Sequence, residues 1–206
     1  CEYTVVPARQ LTKKPARLSF EEAAGAVMSG VTALQAIRDV GRVREGSRVL
    51  VHGASGGVGT FAVQIAKALG ATVTAVCSAR NVELVRSLGA DHATDYARAD
   101  YAQGEARYDV LLDNVMNHRL AASARVLAPG GLLVPNSIGG NRWVGSLPAL
   151  AFAGRFRSRA WPTVQFRPSR EYLDDVVAML VSGAVRVVVD HTYDLDDAGK
   201  AVAHMS

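Results

Sequence analysis

Residues 49–60 read Val49-Leu50-Val51-His52-Gly53-Ala54-Ser55-Gly56-Gly57-Val58-Gly59-Thr60, and this stretch decides the fold. A short apolar run is followed by a glycine-rich turn. A helical pattern then runs from Thr60 to Leu69, with Phe61, Ile65 and Leu69 on one face and Gly70 as its stop. Within the turn, Ala54-x-Gly56-x-x-Gly59 is a variant of the dinucleotide-binding fingerprint, set as that fingerprint requires between a strand and a helix. Gly56 lets main chain approach a pyrophosphate, and Gly59 lets the helix lie close to the strand. Ala54 stands where the first glycine normally makes the tight turn, and Gly53 is placed to supply the missing freedom. The free N–H groups and positive dipole end of the helix make Ser55, Gly56, Gly57 and Val58 candidate phosphate contacts. A P-loop is excluded, since no Gly-Lys-Ser/Thr follows.

Outward from the turn, apolar runs alternate with helical patterns. Strands are expected at 49–51, 72–77, 92–95, 110–115, 132–135 and 185–189, with Val5 and Val6 as a further short strand. Helices are expected from Ser19, whose Glu22 three residues on makes a capping box, through Val27; over Val31–Val40, ending at Gly41; over Asn81–Leu88; over Leu120–Leu127, before Pro129-Gly130-Gly131; over Ser169–Leu180, with Gly183 beyond; and over Leu195–Met205. The strands are continuously apolar, as in a parallel sheet covered on both faces. The expected fold is therefore α/β, a Rossmann-type doubly wound parallel sheet of six strands.

Composition agrees with a packed domain. Of 206 residues, 49% are hydrophobic and 20% charged, which excludes disorder. No apolar run reaches 18 residues, so no membrane span is expected. Cys1-Glu2-Tyr3 opens no signal peptide, and a start at Cys1 in place of Met reads as a processed or truncated chain. Cys1 and Cys77 give neither a disulfide framework nor a metal site, which suits a reducing cytoplasm. The net charge of +4 includes a basic group, Arg142, Arg155, Arg157, Arg159, Arg167 and Arg170. Without interleaved aromatics it reads as a solvated or subunit-facing surface, and no nucleic-acid partner is expected.

The second strand selects the cofactor. An NAD site places Asp or Glu at its end, to bond the ribose 2′-hydroxyl. Here the chain reads Val76-Cys77-Ser78-Ala79-Arg80-Asn81, with no carboxylate before Glu83. Ser78 offers a hydroxyl and Arg80 a planar cation suited to a 2′-phosphate, so NADP(H) is favoured over NAD(H). The alternatives are an ordinary surface charge for Arg80 and a reactive thiol for Cys77.

These residues resemble the medium-chain dehydrogenase/reductase superfamily, most closely its zinc-independent quinone oxidoreductase-like branch. The resemblance rests on His52-Gly53-Ala54-Ser55-Gly56-Gly57-Val58-Gly59-Thr60, Ala66-Lys67, Gly70-Ala71, Leu88-Gly89-Ala90-Asp91, Tyr108-Asp109-Val110 to Asp113-Asn114-Val115, and Leu127-x-Pro129-Gly130-Gly131. It implies a GroES-like catalytic domain, of which residues 1–24 would be a remnant, and an NADP(H)-binding Rossmann domain over 25–206. By position in that family, Thr32 contacts the nicotinamide end and Tyr96 packs near the adenosine phosphate. Asn114 and Val115 lie where the nicotinamide ribose passes, and Asn136 and Ser137 face the nicotinamide. The plainer alternatives are a capping hydroxyl for Thr32, a loop aromatic for Tyr96 and turn chemistry for Asn136 and Ser137. Zinc-dependent relatives carry a cysteine ligand four residues before that threonine; here Met28 stands there, so no metal is expected.

The implied activity is hydride transfer from NADPH to a quinone, activated alkene or carbonyl, with no catalytic side chain assigned. The implied partners are a small-molecule acceptor and a second copy, paired as a homodimer through the sixth strand. A short-chain dehydrogenase is excluded because no tyrosine has a lysine four residues on. A methyltransferase would favour a carboxylate at the end of the second strand. The remaining alternative is a non-catalytic nucleotide-binding fragment or sensor.

Overall fold

The computed structural model of the chain describes residues 3–136, 164 and 166–204. Helix α1 (Phe20–Leu34) opens on Ser19, whose hydroxyl accepts from the Glu22 N–H while the Glu22 carboxylate accepts from the Ser19 N–H, the capping box read from the sequence. The first βαβ unit follows as β1 (Arg48–His52), α2 (Gly57–Ala68) and β2 (Thr72–Cys77). Beyond it lie α3 (Val82–Ser87), β3 (His92–Asp95), β4 (Tyr108–Asp113), α4 (Leu120–Arg125) and β5 (Leu127–Pro135). Two further helices, α5 (Arg170–Ser182) and α6 (Ala198–His204), follow among the described residues, α6 preceded by a single 3-10 turn at Leu195–Asp197.

The strands form one parallel sheet in the order β3-β2-β1-β4-β5. The chain winds from β1 outward through β2 to β3, then crosses back to β4 on the other side of β1. The switch point therefore falls between β1 and β4, where such sheets open a crevice at the strands' carboxyl ends. Side chains alternate between two cores, as period-2 strands require. Val49, Val51, Val110 and Leu112 face α1, α2 and α5, while Leu50, Leu111 and Leu133 face Tyr101 and Val126 on the other side.

Several expectations need correction. The described sheet has five strands, not six, because 185–189 lies off it. There Gln64 takes the place of a strand partner: its amide donates to the Arg186 carbonyl at 3.0 Å and accepts from the Arg186 N–H at 2.9 Å. Val185 is buried in the core on the α1 and α2 side of the sheet. Val5 and Val6 form no strand, and Val5 is fully exposed. The two helices expected before Gly41 are one. Gly30 does not end α1, because it is where Phe61 and Val176 pack against that helix. The continuation, Gln35–Val40, widens into a π-helical turn closed by the Gly41 N–H on the Ala36 carbonyl at 2.8 Å. Val126 is the C-cap of α4, and Leu127 already belongs to β5, whose pairing with β4 is irregular between Tyr108 and Val110.

The expected domain boundary after residue 24 falls inside α1. The segment before it is tied to α5: Arg170 donates to the carbonyls of Ala8 and Leu11, both at 3.0 Å, and Arg17 donates to the Leu180 carbonyl. Arg170 is thereby engaged within the fold. Arg142, Arg155, Arg157 and Arg159 lie outside the described residues. No described helix is long and apolar enough to cross a membrane.

Candidate functional site

The β1–α2 turn has the shape its glycines imply. Gly53 adopts φ +73°, the left-handed conformation that the fingerprint's first glycine would supply, which leaves Ala54 free to be a buried alanine. The N–H groups of Gly53 and Ala54 both donate to the Val76 carbonyl, at 3.1 and 3.0 Å. A β-carbon on Gly59 would sit 2.2 Å from the Gly53 carbonyl oxygen, so the helix lies against the turn as only glycine permits. Gly56 differs: its backbone is extended, and a β-carbon there would meet nothing closer than 3.5 Å. The protein's own packing does not require glycine at 56, and the space beside it is open.

Gly56 caps α2 with no side-chain hydrogen bond, and no acid lies in the first turn. The exposed Gly56 and Gly57, and the partly buried Val58, thus present an uncapped helix N-terminus to solvent. Beside it, a cleft of about 340 Å³ opens at the carboxyl ends of β1, β2 and β4. Five residues singled out from the sequence line it together: Ser55, Ser78, Arg80, Tyr96 and Val115. His52, Asn81 and Asn117 line it too and were not anticipated. A signal existed for His52, which directly precedes the turn at the end of an apolar strand.

The β2 end carries no carboxylate. Cys77 is buried at that position, and burial, then the nearby Asp95, pushes its thiol above the usual range, so it is not a reactive thiolate. The Ser78 hydroxyl accepts from the Asn81 amide at 3.2 Å. Arg80 is exposed and has no ion-pair partner among the described residues, whereas Arg38, Arg48 and Arg86 pair with Asp175, Asp109 and Glu83. The nearest strand-end acid, Asp95, is spent on its own turn: it accepts from the Ala97 N–H at 3.0 Å and faces Arg98 at 3.7 Å. The uncapped helix, the open Gly56 and the unpaired cation fit the pyrophosphate and one further phosphate of a dinucleotide.

The remaining sequence-derived residues fare differently. Asn114 and Asn136 tie strand ends together: Asn136 donates to the Asn114 side-chain oxygen at 2.8 Å, and Asn114 donates to the His52 carbonyl at 3.0 Å. Thr32 is buried in α1 and does not line the cleft. Ser137 lies outside the described residues. A second cavity, of about 350 Å³ between residues 6–18, α1 and α5, is lined mainly by apolar side chains such as Leu18, Val27 and Leu180, and its lysine, Lys14, is engaged by the Leu18 carbonyl.

Zinc does not fit the cleft. Met28, at the family's cysteine-ligand position, is an exposed thioether. Among the described residues, the three possible ligands that converge are Asp190, His191 and His204, all exposed and none lining the cleft.

A switch-point cleft beside an uncapped glycine turn defines a dinucleotide-binding protein of the dehydrogenase kind. Residues 88–206 match the zinc-binding dehydrogenase family, and the chain belongs to it, within the quinone oxidoreductase-like part of the medium-chain dehydrogenase/reductase superfamily. It is 32% identical over 223 residues to the mitochondrial NAD(P)H oxidoreductase RTN4IP1 of Mus musculus, covering 97% of this chain and 56% of that protein. The quinone oxidoreductase of Coxiella burnetii superposes with a TM-score of 0.82 at 26% identity, over 94% of this chain and 59% of that one. The quinone oxidoreductase of Thermus thermophilus, solved also with NADPH, gives a TM-score of 0.72 at 29% identity, over 93% and 63%. The chain thus spans a little over half the length of these relatives.

Proposed function

We propose that the chain is the NADP(H)-holding part of an oxidoreductase that passes hydride from NADPH to a quinone, an activated alkene or a carbonyl. The observation that carries the cofactor choice is the exposed, unpaired Arg80 beside a β2 end without a carboxylate. In this reading Ser55, Gly56, Gly57 and Val58 hold the pyrophosphate by main-chain N–H groups. Ser78 and Arg80 hold the 2′-phosphate, and Tyr96 covers the adenosine side. Val115 lines the path toward the nicotinamide, with the joined Asn114 and Asn136 fixing the strand ends behind it. The bound nicotinamide supplies the hydride; the protein binds, orients and excludes water. The Thermus relative's complex with NADPH supports this choice, and the NAD(P)H oxidoreductase relatives support a nicotinamide cofactor.

The test is paired titration of NADPH and NADH. Arg80→Ala should weaken NADPH by about 1–2 kcal/mol, roughly 5- to 30-fold, for an exposed charge-assisted phosphate contact, and leave NADH nearly unchanged. Equal loss for both cofactors refutes the 2′-phosphate assignment. The chain spans 56–63% of the relatives above, and the alternative reading is a nucleotide-binding module without turnover of its own. NADPH binding without quinone-dependent oxidation would select it. We place the chain in a reducing compartment such as the cytoplasm, in keeping with the free Cys77. Two copies are proposed to pair as a homodimer through the 185–189 segment, and a monomeric mass by light scattering refutes the pairing.

A further inference from the structure

Beneath the cleft lies a buried hydrogen-bonded couple to which the cofactor reading assigns no role. His52, the last residue of β1, and Asp113, the last of β4, have side chains only 3% and 2% exposed. The His52 Nδ1 stands 2.9 Å from Asp113 Oδ1. A carboxylate only accepts, so Nδ1 carries the proton and donates. The same oxygen accepts from the N–H groups of Val115 at 3.0 Å and Met116 at 2.8 Å. Burial pushes the Asp113 carboxyl up, but the His52 bond and the two main-chain donors outweigh it and hold the group below its usual range.

Those two main-chain bonds fix a loop of unfavourable shape. Met116 has φ +57°, a left-handed conformation that a long side chain rarely adopts, and its side chain is buried. The loop supplies Val115 and Asn117 to the cleft. Val115 also presses on the phosphate turn: its Cγ2 lies 2.9 Å from where a β-carbon on Gly53 would stand. The imidazole is held in turn by the Tyr101 ring, 4.9 Å away centre to centre, with His118 at 5.8 Å.

We infer that His52 and Asp113 are positioning residues for the dinucleotide: the imidazole fixes the carboxylate, the carboxylate fixes the Val115 and Met116 amides, and those set the wall that packs on the Gly53 turn. This rests on the cofactor reading above, but its test has an arm that does not. The variants are His52→Asn, whose amide N–H stands near the position of Nδ1, and His52→Leu, which has no donor. If His52→Leu fails to fold, His52→Gln replaces it, since its longer amide reaches toward the Nε2 position.

Amide hydrogen exchange is compared at Val115 and Met116, and at Val51 and Val76 as internal references, with NADPH titrated alongside. His52→Leu should speed exchange at Val115 and Met116 by tenfold or more relative to the references and raise the NADPH Kd about fivefold. His52→Asn should recover most of both. Unchanged exchange at the two amides, loss of protection shared equally by the reference strands, or no recovery in His52→Asn overturns the inference. If the wild-type chain does not bind NADPH, the cofactor reading fails, while the exchange arm still decides whether the pair holds the loop.

Discussion

Gly56 and Gly59 are three residues apart, in one motif, and the structure gives them opposite reasons to be glycine. Gly56 has φ −78° and ψ 172°, open to any residue, and a β-carbon would come no nearer than 3.5 Å to the Gly53 carbonyl oxygen. Gly56→Ala should therefore change stability by less than about 1 kcal/mol, the small helix-cap loss being offset by a stiffer unfolded chain. At Gly59 the β-carbon would lie 2.2 Å from the Gly53 carbonyl oxygen and 2.7 Å from two Ala54 backbone atoms. Backbone has to move there, and overpacking of this kind costs about 1–3 kcal/mol or more. For a chain of this size each kcal/mol shifts Tm by roughly 2–4 °C. The ligand reverses the ranking for Gly56. A methyl group that displaces one charge-assisted main-chain bond to the pyrophosphate costs about 1.5–3 kcal/mol, roughly 10- to 150-fold in Kd. The assay pairs a thermal melt with an NADPH titration. Gly56→Ala should melt like wild type and bind NADPH at least tenfold more weakly, Gly56→Val should not bind, and Gly59→Ala should melt several degrees lower. A Gly56→Val chain that binds normally would refute the placement of the pyrophosphate, and an unchanged melt for Gly59→Ala would refute the packing.

Other tests bear on the fold and the cleft floor. Because the folded Asp113 carboxyl titrates below the unfolded value of about 3.9, its stabilisation is present above that pH and is lost as pH falls through the folded pKa. Asp113→Asn should lower stability at neutral pH and flatten its decline below about pH 4, as measured by urea unfolding across that range. Gln64→Leu strands both Arg186 backbone groups and should cost about 1–3 kcal/mol, read as a lower Tm. In a Cys1→Ser background, Cys77 should react with a thiol reagent at pH 8 far more slowly in the folded than in the urea-unfolded chain, since burial both covers it and disfavours its thiolate.

The parts of this architecture set by local periodicity were legible beforehand. The strand–turn–helix around Gly56, the β2 end without an acid and the capping box at Ser19 each depend on neighbours within a few residues, and each appears, with α2 opening at Gly57 instead of Thr60. What failed depends on contacts distant in sequence. The run 185–189 has a strand's composition, but Gln64, 122 residues from Arg186, takes that residue's backbone hydrogen bonds. The patterns ending at Val27 and starting at Val31 read as two helices, but they are one, with Gly30 inside it where Phe61 and Val176 pack. For Asn114 and Asn136, placed at the cofactor by their position in the family, the hydrogen bond between them across β4 and β5 adds a role no spacing rule encodes. His52 and Asp113 are likewise 61 residues apart, and only strand pairing brings them together.

The most direct measurement of the central claim is an amide chemical-shift titration of the chain with NADPH. The account predicts shifts concentrated at Gly53–Val58 and Ser78–Asn81, with smaller ones at Tyr96 and Val115. Shifts centred instead on Leu18, Val27 and Leu180 around the apolar cavity, or none at millimolar NADPH, would contradict it.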